Sequence, residues 1–172
     1  MYQKMTRASL LLALMFLLQS LRLLMPIPAF VSMFVIGSAV NACLLAAVET
    51  AGWRAAILLA VIAPVIAYFQ QALPLPVLIL PVAAANIVYI AAYTLFFTTN
   101  RWFAVAAAAI AKMAGLYFSV SWLMLAVNIP DNLAAIITMM LSWPQLITGV
   151  TGGILCFVLL ARRHNIKRQT AQ

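Results

Sequence analysis

Six apolar runs, each near the length of a membrane-crossing helix, dominate the chain: residues 8–25, 30–49, 55–72, 77–97, 102–127 and 141–161. A helix needs about 20 residues to cross the hydrocarbon core of a bilayer. Inside that core every backbone N–H and C=O must find a partner within the protein, so only helices and closed barrels cross it. The runs are continuously apolar and do not alternate as barrel strands do, which selects helices. The expected fold is an all-α integral membrane protein with six transmembrane helices. Composition agrees: 67% of residues are apolar and 7% charged, where a soluble domain carries about 25% charged residues. That balance excludes a soluble globular domain, a disordered tail and a disulfide scaffold.

The breaks between runs hold turn and helix-breaking residues. Pro26 and Pro28 end the first, and Gly52 and Trp53 separate the second from the third. Pro74 and Pro76 end the third; Asn128, Pro130, Asp131 and Asn132 close the fifth. Residues 133–140 read either as a short interfacial helix or as an early start of the sixth span, bent near Pro144. Lys4 and Arg7 before an apolar run suggest a signal peptide. The run nevertheless continues to Met25, contains Arg22 and lacks an A-x-A site before Pro26, so a retained first span is expected. The chain reads as a single transmembrane domain, 1–172, with a basic cytoplasmic tail at 162–172.

Charge sets the orientation. With the N-terminus inside, the inner segments hold Lys4, Arg7, Arg54, Arg101, Arg162, Arg163, Lys167 and Arg168. The outer loops then hold Asp131 and neither Lys nor Arg. This is a strong positive-inside bias, and it places both termini in the cytoplasm. The net charge of +8 therefore reads as a topology signal and not as a nucleic-acid surface. Cys43 and Cys156 lie in apolar runs and read as small buried hydrophobes. His164 sits in the terminal basic cluster, so no metal-ligand spacing arises.

The two remaining cations, Arg22 and Lys112, lie inside spans. A Lys at mid-membrane costs about 2.5–3.5 kcal/mol on insertion scales, and ionisable groups at that depth are functional by default. Neither acid, Glu49 or Asp131, falls inside a helix core, so Lys112 reads as an anion-binding cation. The structural alternative is a lysine bonded to helix ends or snorkelling along its stem. Lys112, Gly115, Ser119 and Trp122 share helical spacing, as do Asn86, Tyr89 and Tyr93; Gln19 and Arg22 are three apart; Gln145, Thr148, Gly149 and Gly152 form a stripe. Such faces point inward, because lipid cannot satisfy amides or charges. The candidate substrate-binding residues are Gln19, Arg22, Asn86, Tyr89, Lys112, Trp122 and Gln145, concentrated in the outer half. Asn86 and Gln145 serve equally as interhelical hydrogen bonds, Trp122 equally as an interface residue. Asn41, beside Ser38, is assigned to packing. No paired carboxylates, His–carboxylate pair, metal cluster or phosphate loop is present, so neither an enzyme nor a resident cofactor or metal is expected.

Several segments resemble the substrate-binding S component of energy-coupling factor (ECF) transporters. They are Ser20-Leu21-Arg22-Leu23-Leu24-Met25-Pro26, the stretch from Leu80-Pro81 to Asn86-Ile87-Val88-Tyr89, the stretch from Lys112 to Val120, and Pro144-Gln145-Leu146-Ile147-Thr148-Gly149 followed by Gly152-Gly153. The resemblance extends to length, helix number and polar groups in the outer half. It implies a multi-pass protein of a bacterial cell membrane that captures a small, vitamin-like micronutrient outside. Its partners would be a membrane scaffold subunit and two ATP-binding subunits, which supply the energy as the S component topples in the bilayer. The family docks its scaffold through an Ala-x-x-x-Ala pattern on the first helix. The matching place here reads Ser9-Leu10-Leu11-Leu12-Ala13, which makes Ser9 and Ala13 the expected docking residues; small side chains four apart still permit close backbone approach. A structural or scaffolding membrane protein without a ligand is the alternative.

Overall fold

The computed structural model describes residues 2–24, 28–127 and 130–169. The expected breakers Pro26 and Asn128 lie outside them. Among the described residues the chain is helical, without strands. Its helices are α1 (Tyr2–Leu24), α2 (Ala29–Thr50), α3 (Trp53–Phe69), α4 (Ile79–Phe96, preceded by a 3-10 turn at Pro76–Leu78), α5 (Arg101–Ala126), α6 (Asp131–Met140) and α7 (Trp143–Gln169). Five segments are long and apolar enough to cross a membrane: Tyr2–Leu24, Phe30–Thr50, Pro76–Phe96, Arg101–Ala126 and Asp131–Arg162. The third expected span is shorter than the sequence suggested. At 17 residues, α3 rises about 25 Å at 1.5 Å per residue, the lower limit for a crossing.

Why α3 stops early is visible in its last turn. Gln71 N–H bonds Tyr68 O at 2.9 Å and Ala72 N–H bonds Ala67 O at 2.8 Å. This paired arrangement closes a helix on a left-handed residue. Gln71 supplies it at φ 58°. Between the fifth and last spans, residues 131–140 form a separate helix, not an early start of the last one. The break falls at Leu141 and Ser142, and Pro144 sits in the first turn of α7, where its missing N–H costs nothing.

The helices run alternately up and down. At one end Arg7 Nη1 donates to Thr50 O (3.1 Å) and Tyr93 Oη to Glu49 Oε1 (2.7 Å), while Arg101 approaches Glu49 (3.6 Å). This basic end also carries Lys4, Arg54 and Arg162. At the other end Gln70 bonds Ser20, and Phe34 meets Trp143 with ring centroids 6.0 Å apart. The central helix is α2, buried without interruption from Asn41 to Ala47 and packed on α7, α1, α3 and α4.

Small residues let the backbones approach, the packing device available where lipid removes the hydrophobic drive between helices. Gly152 of α7 lies against α2 so closely that an added Cβ would stand 2.8 Å from Ser38 O and 3.0 Å from Ala42 N. Ala56, Ala60, Ala104, Ala108 and Ala109 continue this tight core towards the basic end. A second, smaller core of Leu78, Ala85, Leu116, Val120, Ile137 and Leu141 holds α6 over the opposite end.

Candidate functional site

A cavity of about 150 Å³ opens within the end opposite the basic residues. It is bounded by the last turns of α1 and α3, the first half of α2, the first turns of α4 and α7, and mid-α5. Gln19, Arg22, Asn86, Lys112 and Gln145 all line it, so the structure brings these candidate residues together. Asn41, Ser32, Gln70 and Pro64 join them, with Met33, Ile36, Val40 and Val82 as apolar wall.

Lys112 is the best-defined member. Its residue is 4% exposed. The Nζ donates to Asn41 Oδ1 at 2.6 Å and lies 5.3 Å from the centre of the Tyr89 ring. Asn41 is held in turn, its Nδ2 donating to Thr148 Oγ1 at 3.3 Å. An ammonium has three donors and no acceptor. One bond to a neutral amide and a ring face supply it with no opposite charge. Among the described residues the one ion pair is Arg101–Glu49, at the far end. Lys112 is therefore a buried lysine that borders a cavity, with no acid beside it among the described residues.

Asn86 shows how the wall is built. Pro64 sits inside α3. Proline has no N–H, so the carbonyl four residues earlier loses its helical donor. That carbonyl is Ala60 O, and Asn86 Nδ2 donates to it at 3.2 Å. Asn86 thus repairs α3 while its side chain borders the cavity.

Two further amides complete the wall. Gln19 Nε2 donates to Ala63 O at 3.4 Å, and Gln70 Nε2 donates to Ser20 Oγ at 2.9 Å. Ala63 O can only accept, and the Ser20 hydroxyl already spends its proton on Phe16 O at 2.8 Å. Gln19 Oε1 and Gln70 Oε1 consequently turn away from these partners, and both oxygens are buried with no hydrogen bond among the described residues. Gln145 contributes a bond from its Nε2 to Met140 O at 3.3 Å, which ties α7 to the end of α6. Arg22, half-buried, borders the cavity from the end of α1.

Tyr89 and Trp122 do not line the cavity. Tyr89 is buried beneath Lys112, its hydroxyl donating to Gly149 O at 2.7 Å; it supports the site from behind. Trp122 is 73% exposed and points away from the bundle. The reason is helical pitch. At 100° per residue, ten residues leave Trp122 about 80° round the helix from Lys112. The buried stripe on α5 instead runs Lys112, Leu116 and Val120, four residues apart. The expected docking residues Ser9 and Ala13 are both exposed on α1, amid Leu10, Leu14 and Leu17.

Sequence reasoning assigned Asn41 to packing, yet it is the direct partner of Lys112. Pro64 carried the overlooked signal for Asn86, since a proline inside an apolar helix requires a donor for the carbonyl it strands. Comparison of the chain with protein-family models, curated protein sequences and solved structures finds no match.

Proposed function

We propose that this chain is the substrate-binding subunit of an ECF-type importer, which captures a small anionic vitamin or micronutrient from outside the cell. The observation that carries the reading is Lys112, a buried lysine that borders a cavity and has no acid beside it among the described residues. An uncompensated charge in a bilayer is costly, and a bound anion removes the cost. Arg22 at the edge of the same cavity would draw the anion in. In this reading the six helices cross a bacterial cell membrane with both termini in the cytoplasm. The basic residues then lie inside, as the distribution of positive charge favours, and the cavity opens outward. The outward-facing Ser9 and Ala13 would meet the scaffold subunit, and two ATP-binding subunits would supply the energy. Among the described residues no group lining the cavity forms an acid–base or nucleophilic pair, and the activity proposed is capture without chemistry.

The test is co-expression of the tagged chain with the scaffold and ATP-binding subunits of an ECF module from its own host. Co-purification of all four in detergent is expected, with the complex lost on replacing Ser9 and Ala13 by Phe. Purification of the chain alone, beside a module that assembles with another S component, would overturn the reading.

A scaffolding protein without ligand is the second reading. It is favoured by one observation: the Lys112–Asn41–Thr148 bonds link α5, α2 and α7 and would serve as interhelical ties. It predicts that Lys112→Met changes stability and nothing else.

A further inference from the structure

We infer that the basic end carries a site for an anionic phospholipid, where the starts of α1 and α3 meet the end of α2. The inference needs the helices to lie in a bilayer and is independent of the importer reading.

Three cations converge there. Arg7 Nη1 bonds Thr50 O at 3.1 Å, which fixes it against the last turn of α2. Arg54 follows Thr50 by four residues and is exposed, its guanidinium carbon 5.7 Å from the centre of the Trp53 ring. The depth of the third cation follows from the helix register. α1 and α3 run in the same direction, with Gln19 beside Ala63. Counting nine residues back along each sets Leu10 level with Arg54. Arg7 then lies about 4.5 Å further towards the basic end and Lys4 about 9 Å, at 1.5 Å per residue. No acid offsets the three. The acid of this end, Glu49, turns to Tyr93 of α4 and Arg101 of α5, and Arg101–Glu49 is the one ion pair among the described residues.

A cluster of cations alone suits any anion. The surface that continues from it selects a lipid. Along α3, Arg54, Leu58 and Val61 stand at i, i+4 and i+7 and share one face. All three are exposed, Leu58 at 55% and Val61 at 42%. Trp53, next to Arg54, is 56% exposed, and an indole at the end of a spanning helix sits at headgroup level. Charge, indole and hydrocarbon thus succeed one another in the order of phosphate, glycerol and acyl chain. A guanidinium grips two phosphate oxygens at once through parallel N–H bonds, and basic side chains at this level attract anionic headgroups.

Native mass spectrometry of the full chain in detergent tests this, with equal amounts of phosphatidylglycerol and phosphatidylcholine of the same acyl chains supplied. We expect phosphatidylglycerol to be retained about tenfold over phosphatidylcholine, the order that one to two cations give beside an anionic headgroup. Lys4→Gln combined with Arg54→Gln should bring the ratio close to one. Both side chains are exposed, so this variant should melt like the parent in lipid-free detergent. Arg162→Gln, which removes another exposed cation from α7, should keep the parental ratio. A ratio near one in the parent, or an undiminished ratio in the double variant, would overturn the inference. An equal fall in Arg162→Gln would overturn it too, by showing attraction to net charge without a site. Displacement of the lipid by soluble glycerol phosphate would overturn it by making the cations a site for a free anion. Co-purification with the energising subunits bears on the importer reading and not on this one.

Discussion

The two ends of this bundle solve the problem of buried charge in opposite ways. At the basic end the ionisable group is an acid, Glu49, partly buried and partnered: Tyr93 donates to it and Arg101 approaches it. At the cavity end the buried group is a lysine, Lys112, and it has one neutral amide. Packing follows the same division. Alanines and Gly152 draw the helices together from the middle of the bundle to the basic end. At the cavity end Pro64 interrupts the bonding of α3, which then stops at Phe69, and the buried side chains are amides with oxygens to spare. One end is a closed joint, and the other keeps a cavity with a buried lysine on its wall.

The largest expected effect lies where the closed core meets the cavity floor. Gly152→Val would push a branched side chain into Ser38 O and the α2 backbone. We expect loss of about 3 kcal/mol or more, read as a collapse of detergent melting temperature and yield, with α2 and α7 driven apart. Near-parental melting would show that the close α2–α7 approach is not what holds the bundle.

Next comes Glu49→Ala, which strands the Tyr93 hydroxyl and releases Arg101. A cost of about 1–3 kcal/mol is expected, with anion affinity unchanged because the cavity lies at the other end. A stability loss accompanied by lost affinity would show the two ends to be coupled and would break the comparison.

A double-mutant cycle sharpens the account of Asn86. Asn86→Leu should cost about 1–2 kcal/mol by leaving Ala60 O unpaired. In a Pro64→Ala background the restored N–H serves that carbonyl, so the same change should cost about 1 kcal/mol less. Additive effects, measured by thermal or denaturant unfolding in micelles, would mean that Asn86 does not act through Pro64.

The smallest effect concerns the turn that aims Gln70 into the cavity. Gln71 holds φ 58°, a conformation glycine adopts freely. Gln71→Gly should leave stability unchanged or raise it by up to about 1 kcal/mol. A clear drop in melting temperature would show that the Gln71 side chain does something beyond closing the helix.

The parts of this molecule legible in the sequence were those governed by local rules. Apolar run length and breakers located the helices, and the spacing of Asn86, Tyr89 and Tyr93 gave an inward face that the structure retains. The polar residues that gather at the cavity were found because apolar helices tolerate few of them. What escaped depends on a third coordinate. A heptad-like reading of α5 took Trp122 for an inward residue, whereas the buried stripe drifts the other way along four-residue steps. Asn41 looks the same in sequence whether it ties helices or holds a lysine; only the approach of α5 to α2 decides. Gln70 acquires its place from a left-handed turn that a glutamine, not a glycine, supplies, so no sequence signal marked it.

The central claim is that Lys112 is a cation awaiting an anion. The most direct measurement is to purify the parent chain and Lys112→Met in mild detergent, denature both, and identify the released small molecules by negative-ion mass spectrometry. The account predicts one anionic compound near one equivalent per parent chain and none above background in the variant, which should still elute and melt as a folded protein. The same complement of small molecules from both proteins, or none from a folded parent chain that also fails to bind added anions, would contradict it.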